Sequence, residues 1–178
     1  MKKLTSICFK VLLIIAVSMS GLTTLKAQVP YKMSVGGIAG SFNGVAFKMF
    51  FTDKLSFQAD LGVKLVPTTL FGKNGYSYSD SFGILDANAN IMFESKVKAW
   101  DAGQMLWFLG VGVSSGYQFQ NNGKVGGNVI FGFEYVWANK PVSIQLDYRP
   151  GYGALLNRHQ TRSFFDWGLM LSIRYTLE

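Results

Sequence analysis

The sequence predicts an all-β protein: an eight-stranded antiparallel up-and-down transmembrane β-barrel, preceded by a cleaved signal peptide. Three observations lead to this fold class. Apolar and polar side chains alternate with a period of two residues along several segments, as in strands that have one apolar and one polar face. The connections between these segments alternate between short and long. The composition, with 20 glycines, 15 phenylalanines and only 4 prolines, agrees with a membrane barrel as well as with a soluble domain.

The first 27 residues are predicted to be the signal peptide. Lysines at positions 2, 3 and 10 precede a short apolar run over residues 11–17, and a more polar stretch then ends at Ala27. A basic start, an apolar core and a small residue at the exit form the signal-peptide pattern. The apolar run is too short for a membrane-spanning helix, which needs about 20 residues. We therefore predict cleavage after Ala27, with Ser20 as the alternative, and one outer-membrane barrel domain at residues 28–178.

Cysteine content and charge exclude several classes of protein. The only cysteine, Cys8, lies before the apolar run and is predicted to leave with the signal peptide. The mature chain then has neither a disulfide framework nor a thiolate metal site. Four of the 17 basic residues leave as well, so 13 basic residues face 10 acidic ones. This small excess gives no support to a nucleic-acid partner, and no cofactor is predicted.

The first three strands are predicted near the start of the mature chain. Residues 31–40 are glycine-rich and are assigned because a barrel needs a strand there. In residues 45–51, large apolar side chains alternate with Ala46 and Lys48. Residues 55–65 give the clearest pattern, because the odd positions are all apolar and the even positions include Asp60 and Lys64. A helical period would scatter these charges over the apolar face.

The next five strands repeat this alternation. Residues 84–94 place acidic and amide side chains opposite apolar ones, and residues 105–114 and 129–137 alternate large apolar side chains with glycines. Residues 142–149 and 165–177 again oppose apolar to charged side chains. The connections at 41–43, 52–54 and 138–141 are short, 94–103 is of medium length, and 66–81, 115–126 and 149–163 are long. Short periplasmic turns and longer outer loops are typical of outer-membrane barrels.

The polar face of these strands is predicted to fill the barrel. Inward glycines at positions 62, 110, 112, 132 and 168 leave room for long neighbours. Charges of both signs persist in such a place when they are paired. The ten predicted inward charges are Lys48, Asp60, Lys64, Asp86, Glu94, Glu134, Asp147, Arg149, Asp166 and Arg174. The aromatic side chains fall into two belts, one near the short turns and one near the long loops. The competing interpretation is a soluble β-protein of reversed polarity, with the aromatic rows as its core.

Three stretches together resemble small bacterial outer-membrane β-barrel proteins. They are the signal ending at Ala27-Gln28, the hairpin GVAFKMFFTDKLSFQADLGV (residues 44–63) and the segment VSIQLDYRPGYG (residues 142–153). The similarity is to the OmpA/OmpX-like eight-stranded group and the porin-family barrel domains, and it covers nearly the whole mature chain. It implies a monomer inserted by the barrel-assembly machinery and surrounded by outer-membrane lipid and lipopolysaccharide. Both termini are then expected in the periplasm.

Four features were considered as sites of chemistry. His159, the only histidine, can form a catalytic triad with Thr161 and a carboxylate, but a solvated loop histidine is the favoured interpretation. The glycine-rich stretch 36–40 is no phosphate loop unless a helix follows. Asp86, Asn88 and Asn90 alternate like cation ligands but also like any inward strand face. Arg158, Arg162 and Lys124 are placed in outer loops, where they contact lipopolysaccharide phosphates or simply solvent.

The function predicted from these observations is an integral outer-membrane barrel with a structural or surface-interaction role and a side-chain-filled lumen. No catalytic, cofactor-binding or metal-binding residue is assigned, and the protein is not expected to be an enzyme. A narrow pore or small-ligand transporter is the first alternative. A lipid A-modifying outer-membrane enzyme is the second.

Overall fold

The computed structural model describes residues 31–64, 68–71, 77–80, 84–118, 122–156 and 161–177. The predicted signal peptide, residues 1–27, lies outside this part of the chain. Within it, no helix is long and apolar enough to cross a membrane. Twelve strands are present: β1 (Met33–Gly40), β2 (Phe42–Phe50), β3 (Leu55–Lys64), β4 (Thr68–Phe71), β5 (Ser77–Asp80), β6 (Ile84–Trp100), β7 (Gly103–Gln118), β8 (Asn122–Trp137), β9 (Val142–Tyr148), β10 (Gly151–Leu156), β11 (Thr161–Asp166) and β12 (Leu169–Leu177).

Eight of these strands close into a barrel. The order β8-β7-β6-β3-β2-β1-β12-β9 is antiparallel throughout, and β9 pairs back onto β8. The first and last strands of the chain are therefore neighbours, with Met33 opposite Leu177 and Gly40 opposite Met170. The predicted all-β fold with an eight-stranded antiparallel barrel is confirmed.

The other four strands continue strands of the barrel beyond its rim. Between β9 and β10 the ladder is interrupted at Pro150, which has no N–H to donate but whose carbonyl accepts a hydrogen bond from Val129 N at 3.0 Å. Between β11 and β12 the break falls at Trp167 and Gly168. Above the rim, β10 pairs with β8, β11 with β10, β4 with β11 and β5 with β4.

The predicted connections were too long in four places. The segments predicted as long loops, 66–81, 115–126 and 149–163, contain strand residues, and the medium connection 94–103 is mostly the end of β6. Around 115–126, β7 runs on to Gln118 and β8 already begins at Asn122. Glycine has no side chain to show polarity, so the glycines at 116, 123, 126 and 127 hide the alternation that continues through them.

The register of the strands sets the shape of the barrel. Paired residues can be followed from each strand to its neighbour around the wall, starting at Ile173. The successive partners are Gly37, Val45, Leu61, Ala87, Ser115, Val125, Ala154 and Ser163. The circuit ends on β11, which continues the register of β12, ten residues before its starting point; this offset is the shear of the barrel. Eight strands with this shear tilt by roughly 40° from the barrel axis. Such a barrel is just wide enough inside for side chains to fill it.

The two faces of the wall have opposite polarity. Outward side chains such as Val111 and Val113 are 65% and 64% exposed, whereas the inward Lys48 and Arg174 are 0% and 1% exposed. The interpretation in which aromatic rows form the core is therefore wrong, because most of those rows face outward. The charged and amide side chains form the interior instead.

Closure of the first strand onto the last is testable by crosslinking. Val35 lies opposite Tyr175 on the outer face, and paired residues of an antiparallel ladder have Cα atoms about 5 Å apart. The double variant Val35→Cys with Tyr175→Cys is expected to be bridged by a short bifunctional thiol reagent, seen as a mobility shift in the denatured protein. Val35→Cys with Leu169→Cys is the control, because position 169 is six residues along β12, roughly 20 Å away. Equal bridging of both pairs would contradict the register.

Candidate functional site

The barrel interior is the part of the molecule in which polar groups converge. Its charges form three clusters, stacked from the end of the short turns to the opposite end. The lower cluster consists of Lys48, Glu94, Glu134 and Arg174; the middle cluster of Asp60, Asp147 and Arg149; and the upper cluster of Lys64, Asp86, Lys124 and Asp166. All eleven side chains are buried.

In the lower cluster, one lysine bridges three strands of the wall. Lys48 on β2 places its Nζ atom 2.7 Å from Glu94 Oε1 on β6 and 2.5 Å from Glu134 Oε2 on β8. Arg174 on β12 donates a hydrogen bond from Nη2 to Glu134 Oε1 at 2.8 Å. Ser56 Oγ donates to Glu94, and Tyr31 Oη donates to Glu134 Oε1 at 2.8 Å. Two cations and two carboxylates thus neutralise each other.

Two glutamines join the lower cluster to the middle one. Arg174 Nη2 donates to Gln145 Oε1 at 2.5 Å, and Gln145 Nε2 donates to Gln58 Oε1 at 3.1 Å and to Asp147 Oδ2 at 2.8 Å. Gln58 Nε2 in turn donates to Asp60 Oδ1 at 2.9 Å. An amide has both a donor and an acceptor, so these side chains continue the network without adding charge.

The middle cluster is centred on Arg149. Its Nε atom donates to Asp147 Oδ1 at 2.6 Å, and its Nη1 atom donates to Asp60 on β3. Arg149 lies at the interruption between β9 and β10, where its own N–H donates to Gly168 O at 2.8 Å. One guanidinium therefore holds two carboxylates and, through its backbone, the break between β11 and β12.

The upper cluster contains two lysines and two aspartates. Lys64 pairs with Asp166, and Lys124 pairs with Asp86. Lys124 Nζ also lies 3.5 Å from Asp166, so the two pairs are joined. The same ammonium group lies 5.2 Å from the centroid of the Phe164 ring, a cation–π distance. This cluster connects β3, β6, β8 and β11.

Apolar side chains fill the space between the clusters and the wall. One group, Tyr31, Phe50, Leu106 and Val136, closes the end of the short turns. Two others lie on opposite sides of the interior: Met92, Phe108 and Ile130 on one, Ile38, Phe42, Ala46 and Met170 on the other. As predicted, inward glycines make room for them: a Cβ atom at Gly132 would lie 2.9 Å from Phe108 Cζ.

A cavity of about 20 Å³ remains at the level of the upper cluster. It lies between Phe42, Asn88, Ser114 and Asn128. This volume suits about one water molecule. At this level of the interior the buried side chains leave little free space, as expected for a barrel of eight strands.

The structure places all ten predicted inward charges inside the barrel, where each has a partner of opposite charge. It also corrects one assignment, because Lys124 is buried in β8 and pairs with Asp86, and so does not extend from an outer loop. The signal was present in the sequence: Lys124 has the same even parity as Asn128 and Glu134. The role of Tyr31 is not predicted, because the glycine-rich first segment, residues 31–40, shows no clear alternation that would assign its faces.

The other candidate sites of chemistry lie in different parts of the chain. Asp86 forms an ion pair with Lys124, and Asn90 Oδ1 accepts a hydrogen bond from Asn128 at 2.6 Å. Among the described residues, no group of three His, Cys, Asp or Glu side chains forms a metal site. The glycine-rich stretch 36–40 lies in β1 between β2 and β12, with a strand after it, so it is no phosphate loop. Arg158, His159 and the side chain of Arg162 lie outside the described residues.

The outer face carries an apolar surface with aromatic groups near both ends. Near the short turns, Phe93 lies 6.0 Å from Trp107 and Tyr135 lies 4.8 Å from Trp137, measured between ring centroids. Near the other end, Tyr117, Tyr152, Phe165 and Trp167 are exposed. Aromatic side chains therefore lie near both ends of the described outer surface, whereas Phe82, which is predicted in the upper belt, lies outside the described residues.

We predict that Glu134→Gln destabilises the protein by about 3–5 kcal/mol, because Lys48 and Arg174 then share one carboxylate fewer in a buried site. The measurement is urea unfolding of the protein refolded in detergent, followed by tryptophan fluorescence. Asp53→Asn, in the exposed turn between β2 and β3, is the control and should change stability by less than about 0.5 kcal/mol. An equal effect of the two variants would mean that the lower cluster contributes nothing specific.

Comparisons with known proteins complete this description. No model of a protein family, no curated protein and no solved structure matches the chain. The functional argument therefore rests on the geometry of the barrel.

Proposed function

We propose that this protein is an integral barrel of a bacterial outer membrane, with a structural or surface-interaction role and no open channel. The observation that carries the proposal is the inversion of polarity: paired charges fill the interior, and large apolar side chains cover the outside. A monomeric soluble protein rarely exposes contiguous apolar patches of more than a few hundred Å². Lipid is the solvent in which this surface is stable.

Closure of the wall supports the same environment. Hydrocarbon offers no hydrogen-bond partner, so a chain in lipid must pair its backbone groups internally, as helices and closed barrels do. Each of the eight barrel strands has two antiparallel neighbours. Ten residues of a strand tilted by about 40° rise roughly 25 Å, the height of the apolar band in such barrels. Four of the eight barrel strands, β3, β6, β7 and β8, have ten residues or more, and the others have seven to nine.

The filled interior favours a scaffold over a pore. Side chains from all eight strands meet in the three charged clusters and the apolar groups between them, and the cavity among them holds about 20 Å³. Conduction would require several buried ion pairs to separate. Recognition is then left to the segments beyond the rim, where β4, β5, β10 and β11 extend the wall.

The predicted signal peptide supports export across the inner membrane, and the resemblance to small outer-membrane barrels agrees with this destination. Both arguments come from the sequence. They indicate how the protein reaches the membrane, whereas the physical argument concerns only its stability in lipid.

The first test of this function is where the native protein is found and how it migrates. We expect the protein in the outer-membrane fraction, with faster electrophoretic migration before heating than after it, because a closed barrel stays compact in detergent. Recovery from the soluble periplasmic fraction would overturn the proposal.

A second test separates the scaffold from the pore. Refolded protein in a planar bilayer is expected to give no stable conductance steps, because the interior is filled. Reproducible, size-selective channels would replace the scaffold by a narrow pore.

A further inference from the structure

A β-bulge near the end of β6 turns two side chains to the outside of the barrel. Ser95 is opposite Trp107 and Lys96 opposite Leu106, but Lys98 is opposite Met105, so Val97 is the extra residue. Successive side chains in a strand face opposite sides, and one inserted residue reverses the parity. Without the bulge, Lys98 and Trp100 would share the inward face of Lys96. With it, they share the outward face of Met105.

The reversed parity brings Lys98 and Trp100 to an aromatic group on the outer surface. Lys98 Nζ lies 5.3 Å from the centroid of the Trp100 ring. The Trp100 ring lies 6.2 Å from Tyr135, which packs edge-on against Trp137. Gly103 makes this possible, because a Cβ atom there would lie 2.8 Å from Tyr135 Oη. Lysine and rings thus form one built surface, which we call the bulge site: Lys98, Trp100, Tyr135 and Trp137.

Protection of a strand edge explains only part of this arrangement. β3 begins at Leu55, opposite Phe93, so beyond Glu94 the end of β6 pairs only with β7 among the described strands. Bulges and lysines are common on such edges because they discourage pairing with other chains. That role requires neither three clustered rings nor a lysine above one of them. Trp100 is 44% exposed, so these rings do not form a core.

The short-turn end of the barrel carries a positive charge in addition to the neutral lower cluster. Outside that cluster, the described residues at this end include five lysines and two aspartates: Lys32, Lys54, Lys96, Lys98 and Lys140 against Asp53 and Asp101. Lys98 is exposed and has no ion-pair partner within the described chain. By contrast, the buried lysines and arginines of the described interior, Lys48, Lys64, Lys124, Arg149 and Arg174, each have an acidic partner. This charge is therefore available to a ligand.

We propose that the bulge site binds the phosphate of an anionic phospholipid in the membrane leaflet next to the short turns. Lys98 supplies the charge for the phosphate. Tyr and Trp side chains suit the headgroup level because one end of each ring system is polar and the other apolar. Anionic lipid attracts basic residues near a membrane surface. The proposal rests on the membrane location proposed above and names the lipid that this end of the barrel recognises.

The test measures lipid retention by the full chain. The protein is refolded in mixed vesicles of phosphatidylcholine and phosphatidylglycerol and released for native mass spectrometry, which counts retained phosphatidylglycerol molecules. Lys98→Gln is expected to lower retention of one phosphatidylglycerol about five- to tenfold, and Lys98→Arg to restore most of it. Lys140→Gln, an exposed lysine in the turn between β8 and β9, is the matched control and should change retention less than twofold.

A second variant tests the rings. Trp100→Leu keeps the side chain apolar and is expected to lower retention about threefold, whereas Trp107→Leu, outside the bulge site, should leave it unchanged. Equal losses for Lys98→Gln and Lys140→Gln, or no loss for Lys98→Gln, would overturn the proposal. Displacement of the lipid by millimolar inorganic phosphate would identify a site for free phosphate and overturn it too.

The two proposals fail differently. Heat-modifiable, vesicle-inserted protein whose lipid retention ignores Lys98 would leave the membrane barrel intact and remove only the bulge site. Protein that inserts into neither type of vesicle, pure phosphatidylcholine or the mixture, would remove both.

Discussion

The arrangement of the barrel depends on Lys48, which holds one carboxylate from two strands along the wall and another from the opposite side of the lumen. Its ammonium group joins β2 to Glu94 on β6 and to Glu134 on β8. Each of these ions would be costly alone in a place that excludes water. Pairing of the three ions offsets the cost of burying them only if the strands keep their register. A slip of one residue would turn each charge to the outside. The ion network therefore selects one register among those that the backbone ladder permits.

The same constraint explains why polarity is inverted. A barrel of eight strands has little internal volume, and long charged side chains fill it when glycines such as Gly132 stand beside them. Once the charges are used inside, the alternation of each strand leaves apolar side chains outside. A large apolar core and a polar surface are then not available to this sequence. Its filled lumen and its apolar exterior are two results of one period-two pattern.

The fold class and most of the interior are predictable from the sequence, because the alternation in residues 55–65, 84–94 and 142–149 is strong enough to assign both faces. The positions at which strands begin and end are predicted poorly. Lys124 was placed in a loop because neighbouring glycines show no polarity, although its parity matched Asn128. The bulge at Val97 was beyond prediction for a different reason: it depends on how β6 pairs with β7, and local sequence does not specify that pairing. The interior partner of Tyr31 likewise lies 103 residues away.

The proposed recognition lies at the ends of the molecule because of the way its charges are distributed. The charges inside the barrel are paired with one another. A ligand that entered the lumen would therefore have to break the ion network that holds the register. Lys98, which is exposed at the short-turn end, forms no such ion pair with the described residues. Lys98 is held over Trp100 by a bulge that the barrel wall does not need for closure, since β6 has already left β3 at that point. The bulge departs from regular strand pairing and adds nothing to the closure of the barrel. A contact made by the surface that it creates is the simplest explanation for it.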